Sequence, residues 1–149
     1  MTSTRLRLRG LLSLTAFAVL VPAGTVAGGQ WWPVPGAAEI EVDLRAVEQE
    51  RGVVIAWVRY PGSEPIARGW TPAPPGKPRG LHRTVLRTEF DCQKRTMRTL
   101  AAQATNSSGA PIFMSSVPGP VMPVPDVDAM TWVYDAVCEL GGRGQQRRS

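Results

Sequence analysis

The chain has 149 residues, with 17 Lys and Arg, 12 Asp and Glu, one His and two Cys. This length fits one domain, and 43% hydrophobic with only 19% charged residues excludes a chain that is disordered throughout. One His and two Cys are too few for a structural zinc site, which takes four ligands, or for a mechanism that uses two imidazoles. We therefore expect no metal and no cofactor.

The net charge of +5 arises at the two ends of the chain. Six arginines lie in terminal segments: Arg5, Arg7, Arg9, Arg143, Arg147 and Arg148. Without them the chain has 11 basic and 12 acidic residues. Because nucleic-acid binding needs cations clustered on the folded domain, we expect no nucleic-acid partner.

Residues 1–27 have the pattern of a secretory signal peptide. Three arginines precede the apolar run Leu11–Val21, and small residues with cleavage sites after Ala23 and Ala27 follow it. The run is shorter than the roughly 20 residues that a transmembrane helix needs. No Cys follows it for lipid attachment, so we expect an exported protein, periplasmic or secreted, that is not a lipoprotein and has no transmembrane segment after cleavage.

Two segments early in the mature chain have strand patterns. Apolar and acidic residues alternate through Glu39–Leu44, which indicates a strand with one wet face. Val53–Tyr60 is apolar on both faces and rich in β-branched and aromatic residues, which is typical of a central strand. The polar segment 45–52 between them is expected to be a turn or a single helical turn.

Pro61–Gly80 contains six Pro and four Gly in twenty residues. We expect a long exposed loop without ladder or helix, which tolerates shortening. Strands are expected at Leu81–Cys92 and Lys94–Ala104, and their closeness in sequence requires a hairpin turning near residues 91–94. A short strand is expected at Pro111–Ser116, followed by a Pro-rich loop over 117–125.

The C-terminal pattern predicts a helix over Val127–Leu140, with Asp126 as N-cap and Gly141-Gly142 ending it. Its apolar face comprises Met130, Val133, Tyr134, Val137 and Cys138. Cys92 shares the inward side of its strand with Phe90. Since an exported chain meets oxidising conditions, we expect a Cys92–Cys138 disulfide that ties the helix to an antiparallel sheet.

Several short motifs occur in an order that resembles a known family. The motifs are Val42-Asp43-Leu44, Ala56-Trp57-Val58-Arg59, Glu89-Phe90-Asp91-Cys92 with Arg95 and Arg98, and a terminal helix ending Ala136-Val137-Cys138. This order is similar to the surface-adhesin protein E-like domain of proteobacteria, over residues 31–140. The resemblance implies an α+β fold, a single antiparallel sheet of about six strands with one C-terminal helix packed on one face. It also implies export and binding of host extracellular-matrix or serum proteins.

The expected organisation is a signal peptide at 1–27, a surface-adhesin protein E-like domain at 28–140 and a flexible polar tail at 141–149. No catalytic set accompanies it. His82 lacks a carboxylate or nucleophile at a suitable spacing, and Ser115-Ser116 lacks a nucleophile elbow. Asp126 and Asp128 stand at a helix start, where they act as capping and dipole partners. We therefore expect a protein that is not an enzyme.

Four residues are candidates for partner binding: Trp70, Arg83, Arg87 and Trp132. Exposed aromatic residues on rigid elements are enriched at binding hot spots, and arginines can grip an acidic partner. Each candidate has a structural alternative. Trp70 can fold back onto its own prolines, Trp132 can tuck under a loop, and the arginines can form local ion pairs on a solvated face.

Three functions are consistent with the sequence. The first is a non-catalytic protein-binding module that resembles surface adhesin E and engages an extracellular-matrix, serum or envelope protein. The second is a periplasmic structural or assembly accessory protein with no host-binding role. The third, an enzyme or a small-ligand carrier, has no motif that supports it.

Overall fold

The structure is a computed structural model, which describes residues 29–71 and 79–146. The expected signal peptide at 1–27 lies outside the described residues, as do residues 72–78 of the Pro-rich segment and the last three residues of the expected tail.

The described residues form eight strands and two helices. They are β1 (Trp31–Val34), β2 (Ala37–Asp43), β3 (Glu48–Glu50), β4 (Val53–Pro61), α1 (Glu64–Ala67), β5 (Arg83–Asp91), β6 (Thr96–Thr105), β7 (Pro111–Ser115), β8 (Met122–Pro123) and α2 (Asp128–Gln146). All strand pairs are antiparallel, and six strands follow the order β1-β2-β4-β5-β6-β7. The short strands β3 and β8 pair with β4 and β6. The predicted α+β fold, one antiparallel sheet with a C-terminal helix, is confirmed.

The core lies between one face of this sheet and α2. Alternate residues of the central strands point to this face, because successive side chains of a strand point to opposite sides. Val54 and Val58 on β4 are buried there, as are Leu86 and Phe90 on β5. The predicted apolar face of α2 meets them: Met130, Val133 and Val137 are fully buried and Tyr134 nearly so. Each buried side chain of this size contributes about 1.5–3 kcal/mol.

The predicted Cys92–Cys138 disulfide is present, with the two Cα atoms 5.8 Å apart. The predicted hairpin places Cys92 at the turn that joins β5 to β6. The Asp91 carboxylate accepts hydrogen bonds from the N–H groups of Lys94 and Gln93, and these bonds hold the pKa of Asp91 below its usual value. Nearby, the Tyr134 hydroxyl donates to the Cys92 carbonyl at 2.8 Å. The disulfide therefore joins two elements that already pack together.

Helix α2 neither begins nor ends at the residues that the sequence predicts. Its first carbonyl acceptor is Val127, so Val127 rather than Asp126 stands at the N-cap position. At the other end, Gly141 does not stop the helix, which continues to Gln146. Gly141 is buried, and a Cβ added there would lie 2.6 Å from Cγ2 of Val54. The glycine therefore allows α2 to approach β4 closely, and this packing outweighs the low helix propensity of glycine.

Gly141→Ala tests this close approach. Alanine favours a helix over glycine by about 1 kcal/mol, but the added methyl group overlaps buried Val54, and overpacking costs about 1–3 kcal/mol. We expect the free energy of unfolding, measured in urea, to fall by about 1 kcal/mol. The matched control is Asp135→Ala at an exposed position of α2, which should be neutral or slightly stabilising. A Gly141→Ala variant more stable than the wild type would contradict the close approach.

The Pro61–Gly80 segment is more ordered than predicted. Pro61 extends β4 and pairs with Arg83, and residues 64–67 form one helical turn with a proline in its first positions, where the missing N–H group removes no helical hydrogen bond. Pro65 and Thr71 are buried. The expectation of an exposed loop without ladder or helix is therefore wrong for this part of the segment, whereas its tolerance to shortening stays a prediction. Similarly, the expected turn at 45–52 contains strand β3, and the loop at 117–125 contains β8.

Candidate functional site

An apolar groove lies between strand β1 and helix α2, on the helix side of the sheet. Trp31 and Trp32 are successive residues of β1, so their rings point to opposite faces. Trp32 pairs with Val42 and lies on the helix side, where its side chain stays 55% exposed. We call this concavity the β1–α2 groove; it has a volume of about 330 Å³. Its lining residues are Trp32, Pro33, Val34, Pro35, Val42, Leu44, Ala136, Glu139 and Leu140.

Trp132 stands on the helix near the groove, although it is not one of the lining residues. It lies one turn before Ala136 on α2, and its side chain is 40% exposed. The ring packs on Gly36 in the turn between β1 and β2, where an added Cβ would lie 2.8 Å from the ring. Gly36 also has a φ of +88°, a conformation that favours glycine. The turn therefore fixes the position of Trp132. This agrees with the structural alternative, in which a loop holds the side chain, but much of the ring remains exposed.

The groove is lined almost entirely by apolar side chains. Glu139 is the one charged residue among those that line it, and the floor is formed by buried Val34 and Val42. Pro33 on β1 and Pro35 just after it carry no N–H group, and proline is one of the devices that prevent a sheet edge from pairing with another strand. The groove can therefore accept apolar side chains, but its edge is poorly suited to an added strand.

The opposite, helix-free face of the sheet carries ion pairs. Arg59 Nε donates to Glu41 at 2.6 Å while its guanidinium lies 4.3 Å from the centre of the Trp31 ring. Two further pairs lie on this face: Arg98 on β6 to Glu89 on the neighbouring β5 at 2.8 Å, and Arg87 on β5 to Glu48 on β3, across the intervening β4, at 3.0 Å. The local ion pairs considered from the sequence are thus the arrangement found here, and the Arg87 guanidinium already has a carboxylate partner.

The four predicted candidates do not form one site. Trp132 lies on α2 near the groove, whereas Arg87 lies on the helix-free face and Arg83 is exposed at the start of β5. Trp70 is only 5% exposed. Its ring packs against Tyr60 with centroids 6.0 Å apart, and its carbonyl accepts a hydrogen bond from the Thr99 hydroxyl. The expected exposure of Trp70 is therefore wrong, because its contacts with Tyr60 and Thr99 place it in the core.

Trp32 was missed as a candidate. The sequence did contain a signal, since two consecutive tryptophans on an extended segment must face opposite sides of a sheet. With a helix covering only one side, at least one of the two rings must lie at a surface or at the rim of the helix interface. The tandem Trp31-Trp32 therefore pointed to a surface aromatic residue.

The described part of the chain offers little for catalysis. Among residues 29–71 and 79–146, no three His, Cys, Asp or Glu side chains are grouped as metal ligands. His82 is exposed. Burial raises the pKa of the Tyr60 hydroxyl, with a smaller effect from the nearby Glu64 charge, so this tyrosine stays protonated. Neither described helix has both the length and the hydropathy that crossing a membrane requires.

Comparisons with known proteins support the fold. No protein-family model matches the chain, and no curated protein matches it. Among solved structures, crystal form II of Haemophilus influenzae protein E is similar to this chain, with a TM-score of 0.51 and 10% sequence identity. The similarity covers 83% of this chain and 97% of that chain. The expected resemblance is thus confirmed for the fold, and an identity this low establishes nothing further.

Proposed function

We propose that this chain is an exported, non-catalytic module that binds a protein partner through the β1–α2 groove. The observation that carries the proposal is Trp32, a tryptophan that is 55% exposed beside an apolar groove. Tryptophan is enriched at binding hot spots, which lie in pockets that exclude water on contact. Trp132 adds a second ring, and both rings stand on rigid elements that need no ordering when a partner binds.

A protein side chain fits the groove better than a small molecule does. Small-molecule sites combine apolar walls with several converging polar groups that orient the ligand. Among the lining residues only Glu139 has a polar side chain. Because Pro33 weakens strand addition along β1, we infer that the partner inserts apolar side chains between Trp32 and Leu140 instead of adding a strand.

Export is supported by two independent features. The Cys92–Cys138 disulfide is typical of proteins that fold in oxidising compartments. Residues 1–27 have the charge and hydropathy pattern of a signal peptide. Together with the resemblance to the surface-adhesin protein E-like domain, these features favour an extracellular-matrix or serum protein as the partner.

The groove can be tested by comparing two single variants. Trp32→Ala removes the exposed ring, and we expect it to weaken partner binding by at least about tenfold, the effect of a hot-spot residue. The matched control is Met114→Ala on β7, since Met114 is 63% exposed but does not line the groove. Binding of the oxidised domain to a panel of purified matrix and serum proteins would be measured by biolayer interferometry. Equal affinities of the two variants for a bound protein would contradict the role of the groove.

The alternative is a periplasmic structural or assembly accessory protein, whose groove binds another envelope protein. The site of exposure separates the two functions. Protease treatment of intact cells should degrade a displayed adhesin and leave a periplasmic accessory whole. Protection of the chain in intact cells, with degradation after the outer membrane is permeabilised, would overturn the adhesin function while leaving the groove as a binding surface.

A further inference from the structure

The central part of the chain has an unbalanced charge. Between Glu64 and Glu89 the sequence contains five Lys and Arg and one His, but no Asp or Glu. Acidic residues are frequent on its N-terminal side, and Glu89 and Asp91 follow it, but 92–125 then contains three Lys and Arg and no Asp or Glu. The larger of these two excesses of positive charge lies in the stretch that includes the start of β5.

Most other cations of the sheet are neutralised by carboxylates. Within residues 29–71 and 79–146 six ion pairs are formed: Arg51–Glu50, Arg59–Glu41, Arg68–Glu64, Arg87–Glu48, Lys94–Asp91 and Arg98–Glu89. Arg79 and Arg83 are exposed, and no carboxylate in the described part of the chain pairs with either of them. His82, between them, is also exposed. These three residues form what we call the cationic end of the sheet.

The backbone of this end is fixed although its side chains are exposed. The His82 N–H donates to the Thr105 carbonyl at 2.8 Å, and the His82 carbonyl accepts from Gly62 N–H at 2.8 Å. Arg83 is in register with both Pro61 and Thr105. The sheet therefore presents the arginine at the end of three paired strands, and a ligand would not have to order the backbone there.

We propose that the cationic end binds a sulfated polysaccharide. Guanidinium groups are permanently charged and weakly hydrated, and their planar forks form paired hydrogen bonds with oxyanions such as sulfate esters. Short clusters of basic residues are typical of heparin-binding patches. Binding of single-stranded nucleic acid uses exposed aromatic platforms. Here the aromatic neighbour on β4, Tyr60, is buried. The exposed Trp32 and Trp132 lie away from this end, on β1 and α2.

Heparin is the probe for this site. Isothermal titration at fixed ionic strength would compare the wild type with Arg79→Ala/Arg83→Ala. The matched control is Arg45→Ala/Arg51→Ala, which removes the same net charge from exposed positions near β3. We expect the first double variant to bind heparin at least about tenfold more weakly, since each hydrogen bond to a charged group contributes roughly that factor. The control should stay within about twofold of the wild type, and circular dichroism would verify that both variants fold.

Two further polymers test whether the sulfate groups are what the cationic end recognises. Hyaluronan carries carboxylates but no sulfate, and duplex DNA carries phosphates; both should bind more weakly than heparin. Equal binding of either polymer, an equal loss in the control variant, or no heparin binding by the wild type would overturn the proposal. Trp32→Ala should leave heparin binding unchanged, so the cationic end and the β1–α2 groove are tested independently.

Discussion

Removal of the Cys92–Cys138 disulfide is expected to lower the free energy of unfolding by about 2–5 kcal/mol. The bond spans 46 residues of sequence and ties α2 to the β5–β6 hairpin. Without it, the unfolded chain gains conformational freedom, and the loop-closure estimate for a loop of this length is roughly 4 kcal/mol. The measurement is guanidinium unfolding of the Cys92→Ser/Cys138→Ser variant, followed by circular dichroism.

Reduction provides the control for this variant. A reducing agent should destabilise the wild type by the same amount and leave the double serine variant unchanged. Since Tyr134 still donates to the Cys92 backbone carbonyl, we expect the reduced domain to keep its sheet. A double variant within 1 kcal/mol of the oxidised wild type would show that packing alone positions the helix.

Replacement of Trp70 by alanine is expected to cost about 3–5 kcal/mol of unfolding free energy, the usual effect of removing a buried aromatic side chain. The ring fills the space beside Tyr60, and the surrounding strands can close this cavity only in part. Trp32→Ala is the matched control, because it removes the same side chain from a largely exposed position and should change stability by less than about 1 kcal/mol. If both variants were equally stable, residues 64–71 would not belong to the core.

The parts of the fold that were predictable are those governed by local patterns. Period-two alternation identified β2, and continuous apolar character identified β4, because burial on a sheet face requires these patterns. The disulfide followed from two such patterns, since Cys92 and Cys138 each share the inward side of their element. The charge imbalance between Glu64 and Glu89 was also readable, but it becomes informative only once the ion pairs of the other arginines are known.

The parts that were missed depend on contacts between distant residues. Proline and glycine density correctly indicated that 61–80 is irregular, but the burial of Trp70 results from its contacts with Tyr60 and Thr99 on two other strands. Likewise, Gly141 is a helix-ending residue by local propensity and a close-packing residue against Val54 in the fold. The sequence alone cannot distinguish a helix-ending glycine from a close-packing glycine, because that distinction depends on the register of the sheet.

The two proposed surfaces give the domain a simple division of roles. The β1–α2 groove is apolar and uses tryptophan, whereas the cationic end of the sheet is solvated and uses arginine. One surface suits a protein side chain and the other a polyanion.

The most direct test of the protein-binding function is site-specific photo-crosslinking at position 32 in the cells that make this protein. A photoreactive phenylalanine analogue at position 32 should give a discrete adduct that mass spectrometry identifies as one protein, and the same analogue at position 114 should not. The purified partner should then bind the wild type and lose affinity for Trp32→Ala. No adduct from position 32, or the same adducts from both positions, would contradict binding at the β1–α2 groove.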